Sequence, residues 1–547
     1  MAQATQTSVV VIGGSLVGLS TALFLSDRGI PVVVIERHKD SSLHPRAIGY
    51  THRTIELLRS VGIEDRIPDD KSKTIPGKPR RVKVDSLSGK WYDETHWTAN
   101  QPQGSKPAEG SNGPPGDAGP FSPSKATAIA QDNIEPILRN RAVELGADLR
   151  LGCKMTSFSQ DQDYVTVTAT DDSGAEFTVR ARYMVACDGG RSAVREALGI
   201  KQTGVGHLRT LRSILFRCPP INKYLERGFV QFAYDTPEFE GFLTTYMDGR
   251  WALMTTITDP STPTPSDAAQ RALIRLAAGP NEPLQDSDIT LLAEGQWELS
   301  ALIASSFTSG RVHLAGDAAH TLPPNRGGYG ANTGIADAHN IAWKIAAVLA
   351  GRARPDLLDT YDAERRPVAV TRHDQIFARP DYRQYLRPGS EWLDKEIPVL
   401  DDVAMELGQI YRSDAVIGAD SSLPDARRPD EWAGQPGTRA PHLWLSKAGG
   451  DKVSTLDVIG KDWVLISEDG SWAEAAGKSD NCGFVQIGGE DLHPVDGEEA
   501  FRKAFGLEAS GAALIRPDGF VAWRAVQKPA SAIADFLEAF GKVSHAA

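Results

Sequence analysis

The most constraining feature of this 547-residue chain is a glycine-rich turn held between two β-branched runs near its start. Residues 8–12 (SVVVI) and 32–36 (VVVIE) predict two buried strands, and the apolar periodicity of residues 15–28 predicts a helix between them. In such a unit the glycines let main-chain amides and the helix N-terminus approach a pyrophosphate, while an acid that ends the second strand accepts from a ribose hydroxyl. The sequence therefore predicts a dinucleotide-binding β-α-β unit. Its predicted contact residues are Gly13, Gly14, Ser15, Leu16, Val17, Gly18, Glu36 and Arg37.

Two later segments repeat the pattern of a strand that runs into a polar turn. Residues 183–187 (YMVAC) run into an Asp-Gly-Gly turn, and residues 311–315 (RVHLA) run into a Gly-Asp turn. We expect these strands to lie parallel to the first strand in one sheet. An antiparallel sheet is expected as an insertion between them, because residues 242–247 and 250–256 flank an Asp-Gly dipeptide typical of a type I′ hairpin turn.

Composition and charge exclude several classes of protein. The 59 Lys and Arg residues against 71 Asp and Glu residues give a net charge of -12, which would repel nucleic acid. The longest apolar runs fall short of the ~20 residues that a bilayer span needs, so we expect no membrane partner and a cytoplasmic location. The cysteines lie far apart without a Cys-x-x-Cys pair, which predicts neither a zinc site nor a disulfide framework. They are Cys153, Cys187, Cys218 and Cys482.

Two stretches rich in proline, glycine and polar residues interrupt the chain. Residues 99–124 are expected to form a mobile surface loop, and residues 418–441 a linker. Beyond the linker, a strand at 463–467, a hairpin at 512–524 and a helix at 531–540 follow the order of the later half of a thioredoxin-like fold. Because no Cys-x-x-Cys pair is present, we expect this region to serve packing or homodimer formation rather than redox chemistry.

The turns after the second and third strands resemble two signatures of the class A flavoprotein monooxygenases, the FAD-dependent aromatic hydroxylases. These turns are residues 188–192 (DGGRS) and residues 316–320 (GDAAH). In that family the Asp-Gly motif lies near the flavin pyrophosphate and the nicotinamide cofactor, and the Gly-Asp motif holds the ribityl chain of FAD through its carboxylate. The resemblance covers about residues 8–400 and points to the phenol-hydroxylase-like and polyketide hydroxylase branch.

Three more segments carry this resemblance. Residues 45–58 are similar to the family segment whose arginine approaches the FAD phosphates, and Gln131 is similar to a glutamine near the flavin. Residues 323–333 resemble the loop and helix N-terminus that face the isoalloxazine ring, where main-chain amides stabilise negative charge on reduced flavin. The resemblance assigns to FAD binding Arg46, Gln131, Asp188, Gly189, Gly316, Asp317, Pro324, Gly327, Gly328, Gly330, Ala331 and Asn332.

The implied fold class is α/β, with a Rossmann-like FAD-binding domain, an inserted antiparallel β-sheet substrate domain and a C-terminal thioredoxin-like domain. Residues 1–180 would form the first part of the FAD-binding domain, including the mobile loop. Residues 181–300 would hold the second FAD motif and the inserted substrate-binding sheet, and residues 301–417 the last part of the FAD-binding domain with further helices. The linker at 418–441 and the thioredoxin-like domain at 442–547 would follow.

The family chemistry implies the function. NADPH or NADH reduces FAD, O2 adds at flavin C4a, and the resulting C4a-hydroperoxyflavin delivers oxygen to an electron-rich ring. We expect a phenolic or polycyclic, polyketide-like aromatic substrate, as in secondary metabolism, and no metal. Two alternatives stay open, a Baeyer-Villiger oxygenase that acts on a ketone and a nucleotide-binding protein without turnover.

Large side chains that alternate along the inserted sheet are the expected lining of the substrate pocket. They are Phe232, Tyr234, Phe242, Tyr246, Trp251 and Met254. Simple phenol hydroxylases place a carboxylate just after the arginine that Arg46 resembles, but residues 47–50 (AIGY) hold no acid. The candidates for activating the substrate are therefore His52, Arg212, Tyr234 or the substrate itself. Arg46 is a further candidate for a catalytic role, since the resemblance implies that it bridges FAD phosphate and NAD(P)H.

Overall fold

The computed structural model describes most of the chain. The described residues are 5–44, 46–68, 80–96, 118–236, 239–257, 259, 261–323, 328–447, 449–479 and 481–545. The predicted mobile loop at 99–124 lies outside the described residues up to position 117, as do Pro324 and Gly327 of the predicted flavin-facing loop. Near the end of the predicted mobile loop, Gly119–Phe121 forms a short 3-10 turn.

Strands and helices alternate in the first third of the chain, strands dominate the middle, and short elements of both kinds make up the C-terminal part. The strands are β1 (Thr5–Ile12), β2 (Val32–Glu36), β3 (Gly49–Tyr50), β4 (Arg80–Val84), β5 (Trp91–His96), β6 (Thr127–Ala128), β7 (Asp148–Leu151), β8 (Lys154–Gln160), β9 (Val165–Thr170), β10 (Glu176–Ala186), β11 (Gln202–Arg217), β12 (Phe229–Thr236), β13 (Phe239–Thr245), β14 (Arg250–Ile257), β15 (Thr290–Ala304), β16 (Thr308–Ser309), β17 (Val312–Leu314), β18 (His320–Thr321), β19 (Trp444–Lys447), β20 (Lys452–Ser454), β21 (Trp463–Ser467), β22 (Cys482–Gln486), β23 (Leu492–Pro494), β24 (Ala512–Ile515) and β25 (Val521–Ala525). The helices are α1 (Leu16–Asp27), α2 (His52–Arg59), α3 (Gln131–Glu144), α4 (Ala193–Ala197), α5 (Asp267–Ala278), α6 (Tyr329–Leu349), α7 (Asp359–Phe377), α8 (Pro380–Arg383), α9 (Glu391–Asp394), α10 (Asp402–Leu407), α11 (Pro429–Trp432), α12 (Thr455–Ile459), α13 (Ala473–Ala476), α14 (Glu499–Phe505) and α15 (Ala532–Val543).

The first sheet brings together the three strand segments that the sequence predicted to be parallel. Its order is β16-β17-β10-β1-β2-β7, and β9 and β8 extend it from β10. β1 runs parallel to β2 and β10, and β10 runs parallel to β17. The strands are buried on both faces, because apolar positions of α1, α3 and α6 pack against them. The carboxyl ends of β1, β10 and β17 therefore meet at one edge of the sheet.

The second sheet is the predicted insertion, with the order β18-β15-β11-β14-β13-β12-β4-β5. Its neighbours are antiparallel except for β12 and β4, and the β13–β14 hairpin turns at the predicted Asp248-Gly249 dipeptide. One side of the sheet, the α5 face, packs on helix α5. The other side, the inner face, packs on Ile48 and Ala130. The inner face consists of Leu211, Leu215, Phe242, Tyr246, Ala252, Met254 and Leu299.

Strand alternation divides the six large side chains that were expected to line one pocket. Phe242, Tyr246 and Met254 belong to the inner face. The three others point to the opposite side and join the apolar core against α5, because successive side chains of a strand alternate between faces. They are Phe232, Tyr234 and Trp251. The expectation that all six line the substrate pocket is therefore corrected for these three residues.

The C-terminal part contains a four-stranded sheet in the order β22-β21-β24-β25. β21 is parallel to β22 and antiparallel to β24, and β24 is antiparallel to β25. The same part of the chain also forms a three-stranded sheet in the order β20-β19-β23. Among the described residues, we find no helix long and apolar enough to cross a lipid bilayer.

A buried cluster of charges joins the C-terminal part to the rest of the molecule. Glu364 of α7 accepts hydrogen bonds from both terminal nitrogens of Arg516 at 2.6 and 2.8 Å and from Lys344 of α6 at 2.8 Å. Arg516 also donates to Asp518, which accepts from the indole of Trp343 at 3.1 Å. All of these charged side chains are almost fully buried. The two parts therefore share a desolvated ion network in which each charge is paired.

Candidate functional site

The glycine turn after β1 is held by main-chain contacts that leave no room for side chains. Gly13 has a φ of +98°, and a β-carbon added there would lie 2.4 Å from the Cys187 carbonyl oxygen. A β-carbon on Gly18 would lie 1.8 Å from the Gly13 oxygen, so α1 packs directly on the turn. Helix α1 begins without a side-chain cap on its first amides. Leu16 and Val17 form the first turn of this helix.

Glu36 closes the turn from the end of β2. Its carboxylate accepts from the Gly14 amide at 2.6 Å and from the His38 amide at 2.7 Å. Arg37 points to the surface and donates to the His38 ring at 3.0 Å. The predicted acid therefore lies beside the predicted glycines, at the carboxyl edge of the parallel sheet.

Ser15 and Gln131 lie together, although 116 positions separate them in the chain. Both donate to the buried carboxylate of Glu135, at 2.6 Å from Ser15 and 2.7 Å from Gln131. The side-chain oxygen of Gln131 accepts from the Ala47 amide at 3.2 Å. This cluster fixes the segment of Arg46, whose side chain is exposed, next to the glycine turn.

The two later motifs meet at the same sheet edge. Asp188 accepts from the Val194 amide at 3.2 Å through one oxygen, while its other oxygen is buried without a partner among the described residues. Gly189 follows it with open space around its Cα. Arg195 ties the motifs together, since it donates to the main-chain oxygens of Gly190 at 2.9 Å and Ala318 at 3.0 Å.

Asp317 lies in a 3-10 turn, Gly316–Ala318, that faces the start of α6. One of its oxygens is 4.0 Å from the position of a β-carbon on Gly330. Burial raises the pKa of Asp317, and the charges of His320 and Arg46 partly oppose this shift. Arg46 and Asp317 therefore lie close enough to act on each other electrostatically.

Asn332 holds the N-terminal turn of α6 against the segment that follows Arg46. Its side-chain oxygen accepts from the Thr54 hydroxyl at 2.6 Å, and its side-chain nitrogen donates to the carbonyls of Gly328 at 2.8 Å and Gly49 at 3.2 Å. Gly328 precedes the helix, and Gly330 and Ala331 lie in its first turn. Asn332 therefore holds the start of α6 in place through hydrogen bonds to other residues of the protein.

A buried network behind Gly316 was missed by the reasoning from sequence. Asp337 accepts from the Gly316 amide at 3.2 Å, from His320 at 2.7 Å and from Arg365 at 2.7 Å. Burial opposes ionisation of Asp337, but the charges of Arg365 and His320 hold its pKa below the usual range. An acid at an interior position of the apolar helix α6 was the signal that could have revealed this network.

Two of the proposed catalytic side chains lie on the α5 face. Arg212 donates to Glu294 at 3.0 Å and to the Thr262 carbonyl at 2.8 Å. The Tyr234 hydroxyl donates to the Ala277 carbonyl of α5 at 3.2 Å, and burial raises its pKa. Alternation along β11 and β12 turns both away from the inner face, which corrects the expectation that either activates a substrate there.

His52 begins α2 and lies 3.7 Å from Glu406, with which it forms an ion pair when it is protonated. The ring is mostly buried. Within the described residues, no group of three or more His, Cys, Asp and Glu side chains has the arrangement of a metal site. The structure thus brings together Arg46, Gln131 and the three motif turns. His52 lies at the start of α2 and pairs with Glu406.

Comparison with known proteins shows the family to which the chain belongs. Residues 6–375 match the family model described as an FAD binding domain, and residues 433–542 match the C-terminal domain of aromatic-ring hydroxylases. The chain is 39% identical to a 4-methyl-5-nitrocatechol 5-monooxygenase from a Burkholderia species, covering 98% of this chain and 97% of that one. It is 37% identical to the tetracenomycin A2 monooxygenase-dioxygenase of Streptomyces glaucescens, with the same coverage.

A solved structure gives the same result. The aklavinone-11 hydroxylase in its ternary complex with FAD and aklavinone superimposes with a TM-score of 0.82 at 32% identity, covering 99% of each chain. The family match covers well over half of the chain and includes all three motif turns described above. The chain therefore belongs to the FAD-dependent aromatic-ring hydroxylases, a family of flavoprotein monooxygenases.

Proposed function

We propose that this protein uses NAD(P)H and O2 to hydroxylate a phenolic or polycyclic, polyketide-like aromatic compound. One observation carries this proposal. The inner face packs on Ile48 and Ala130, which are the chain neighbours of Ala47 and Gln131 beside the glycine turn. An apolar surface that could receive an aromatic ring therefore adjoins the cofactor region.

The described residues fit FAD. The turn from Gly13 to Gly18 and the uncapped start of α1 suit a pyrophosphate, and Glu36 suits a ribose hydroxyl. The unpartnered oxygen of Asp188 offers a buried acceptor, and Asp317 offers a carboxylate beside the start of α6. When bound, FAD supplies the redox and oxygen chemistry. The chain's own contribution is to bind and orient the two rings and to exclude water through the apolar inner face.

The named relatives support the substrate class. One is named for a nitrocatechol and another for tetracenomycin, and the superimposed hydroxylase holds aklavinone. We propose that the ring hydroxylated here also carries a hydroxyl group. A test is NAD(P)H oxidation by FAD-loaded protein across a panel of phenols, some of which also carry a ketone, with product NMR. A new hydroxyl on an intact ring supports the proposal, whereas insertion of oxygen into a C–C bond next to a ketone would establish the Baeyer-Villiger alternative.

Asp317→Asn should weaken FAD binding by about 1–3 kcal/mol, or roughly 5- to 160-fold, because the amide retains the shape but loses the charge-assisted hydrogen bond to the ribityl chain. The measurement is the Kd of FAD for apoprotein, followed by quenching of flavin fluorescence. Asp491→Asn is the matched control, since Asp491 is exposed in the C-terminal part. Equal affinity of the Asp317 variant and the control for FAD would remove Asp317 from the cofactor site.

Arg46→Lys should raise the apparent KM for NAD(P)H several-fold and slow flavin reduction, because lysine lacks the planar fork of donors that can bridge two phosphate groups. The exposed position of Arg46 near Asp317 leaves its guanidinium accessible to an incoming nicotinamide cofactor. Stopped-flow absorbance measures reduction and reoxidation separately, and the rate with O2 should be unchanged. A normal reductive rate at every NAD(P)H concentration would show that Arg46 has only a structural role.

For the C-terminal part we propose a thioredoxin-like fold that serves packing, within the boundaries expected from the sequence. The strand order β22-β21-β24-β25, with one parallel and two antiparallel pairings followed by α15, supports this proposal. All four cysteines are free, which favours a reducing compartment such as the cytoplasm. Light scattering of the full chain tests whether the protein forms the proposed homodimer.

A further inference from the structure

His44 is a half-buried histidine in the segment that leads to Arg46. Both ring nitrogens are shielded from solvent, and one of them lies within hydrogen-bonding reach of the Ser213 main chain, which leaves the other without a partner in the described part of the chain. Leaving a shielded polar atom unpaired in a folded protein costs free energy, so the second nitrogen calls for an explanation. His44 was not among the residues proposed from the sequence.

The ring of His44 lies against the inserted sheet. It makes an edge-to-face contact with Trp297 of β15, with 5.4 Å between ring centroids. Trp297 also borders the inner face. On the neighbouring strand β11, Ser213 lies between Leu211 and Leu215 of the inner face, and its buried hydroxyl also lacks a partner in the described residues. An unpaired imidazole nitrogen and an unpaired hydroxyl therefore lie at one apolar surface.

Burial and nearby positive charges favour the neutral form of the imidazole. Burial lowers the pKa of His44, the Ser213 main chain partly offsets this, and the charges of Arg46 and Arg250 lower it further. Arg250 is itself held by Asp132 at 2.6 Å and by Asp248 at 2.8 Å, so neither acid is left to pair with His44. A neutral imidazole has one bare nitrogen that accepts a hydrogen bond and one N–H that donates.

We propose that His44, together with the Ser213 hydroxyl, binds the ring hydroxyl of the aromatic substrate. The bare imidazole nitrogen accepts a hydrogen bond from the phenolic O–H, which increases electron density on the ring and fixes the ring on the inner face. This role rests on the proposed function and names the group that recognises the substrate. It also supplies the acceptor that is missing from residues 47–50, where the chain has no acid.

A purely packing role for the ring makes a different prediction. Phenylalanine would preserve the contact with Trp297 and remove only the nitrogens, so a packing role predicts no change in ligand recognition for His44→Phe. The hydrogen-bonding role predicts a selective loss of affinity for ligands with a free ring hydroxyl. A site built to bind a hydroxyl discriminates strongly against analogues that lack it, because its own polar groups are then left unpaired.

The test compares 4-nitrocatechol with its dimethyl ether, bound to the FAD-loaded full chain without NAD(P)H. Perturbation of the flavin spectrum gives Kd for each ligand. We expect the wild-type protein to prefer the catechol by roughly ten- to hundredfold, and His44→Phe to abolish that preference while its affinity for the ether stays the same. Ser213→Ala should reduce the preference less, and it serves as the second variant if His44→Phe does not fold. His493→Phe, at an exposed position of the C-terminal part, is the control.

The outcomes separate the two proposals. An undiminished preference in both folded, FAD-loaded variants would overturn the role of His44 and Ser213 and leave the proposed function intact. Equal wild-type affinity for catechol and ether would also overturn that role, whatever the activity of the enzyme. If the wild-type protein bound neither probe and oxidised no NAD(P)H with any phenol of the panel, the proposed function would fail together with this inference.

Discussion

Gly18→Ala is expected to yield protein that does not retain FAD. The new methyl group would lie 1.8 Å from the Gly13 carbonyl oxygen, a main-chain atom at the junction of β1 and α1. Helix α1 would have to move away from the turn, which displaces the amides proposed to face the pyrophosphate. We expect the free energy of unfolding to fall by at least about 3 kcal/mol, since no flexible side chain can yield.

Gly541→Ala is the matched control for this experiment. Gly541 also lies inside a helix, α15, but a β-carbon there would meet nothing within 4 Å. Alanine at that position should leave FAD content unchanged and stabilise the helix by up to about 1 kcal/mol. Flavin absorbance of the purified proteins and urea denaturation measure both quantities. Normal flavin content in the Gly18 variant would show that the turn adapts and that its close packing is dispensable.

Arg516→Met is expected to lower the free energy of unfolding by about 3–5 kcal/mol, because it leaves the carboxylates of Glu364 and Asp518 buried with too few donors. Although burial opposes ionisation, the charges of Arg516 and Lys344 hold the pKa of Glu364 well below its usual range. Without Arg516 that carboxyl must take up a proton or draw in water. Loss of the pairing should also weaken the packing of the C-terminal part, so that limited proteolysis cleaves it faster.

The control for Arg516→Met is Arg502→Gln, which breaks an ion pair between Arg502 and Glu468 in the same part of the chain. The Arg502 side chain is 40% exposed, so water replaces the lost partner and stability should change little. The double variant Arg516→Met/Glu364→Gln should recover part of the loss, since it removes one of the stranded charges. Equal denaturation midpoints for the two single variants would contradict the view that this buried cluster stabilises the packing of the C-terminal part on the rest of the molecule.

The local parts of the fold could be predicted from the sequence, and the long-range parts could not. The turn at Gly13 and the strands around it follow from glycine placement and β-branched runs that are adjacent in the chain. Alternation also predicts which residues of β12 share a face. It does not reveal which face meets Ile48, so Tyr234 was assigned to the substrate side although its hydroxyl binds the Ala277 carbonyl.

The candidate site shows the same division. Glu36, Asp188 and Asp317 could be proposed because Glu36 ends a strand and the two aspartates follow strands, each within a recognisable motif. His44 and Ser213 belong to no such motif, and only the pairing of distant strands brings the histidine to the sheet. The contacts of Asp337 with His320 and Arg365 join separate elements through single hydrogen bonds, for which the sequence contains no periodic signal.

The arrangement of the parallel sheet has a consequence for how the protein is made. β1 is synthesised before β10 and β17, yet it pairs with β10, which in turn pairs with β17. Roughly 300 residues must be synthesised between β1 and β17, which takes about 15–60 s at 5–20 residues per second. The Asp317 turn, which we propose contacts the flavin, follows β17 directly, so the full set of proposed FAD contacts exists only after β17 has been synthesised. We therefore expect the nascent chain to bind FAD tightly only after the Asp317 turn has left the ribosome.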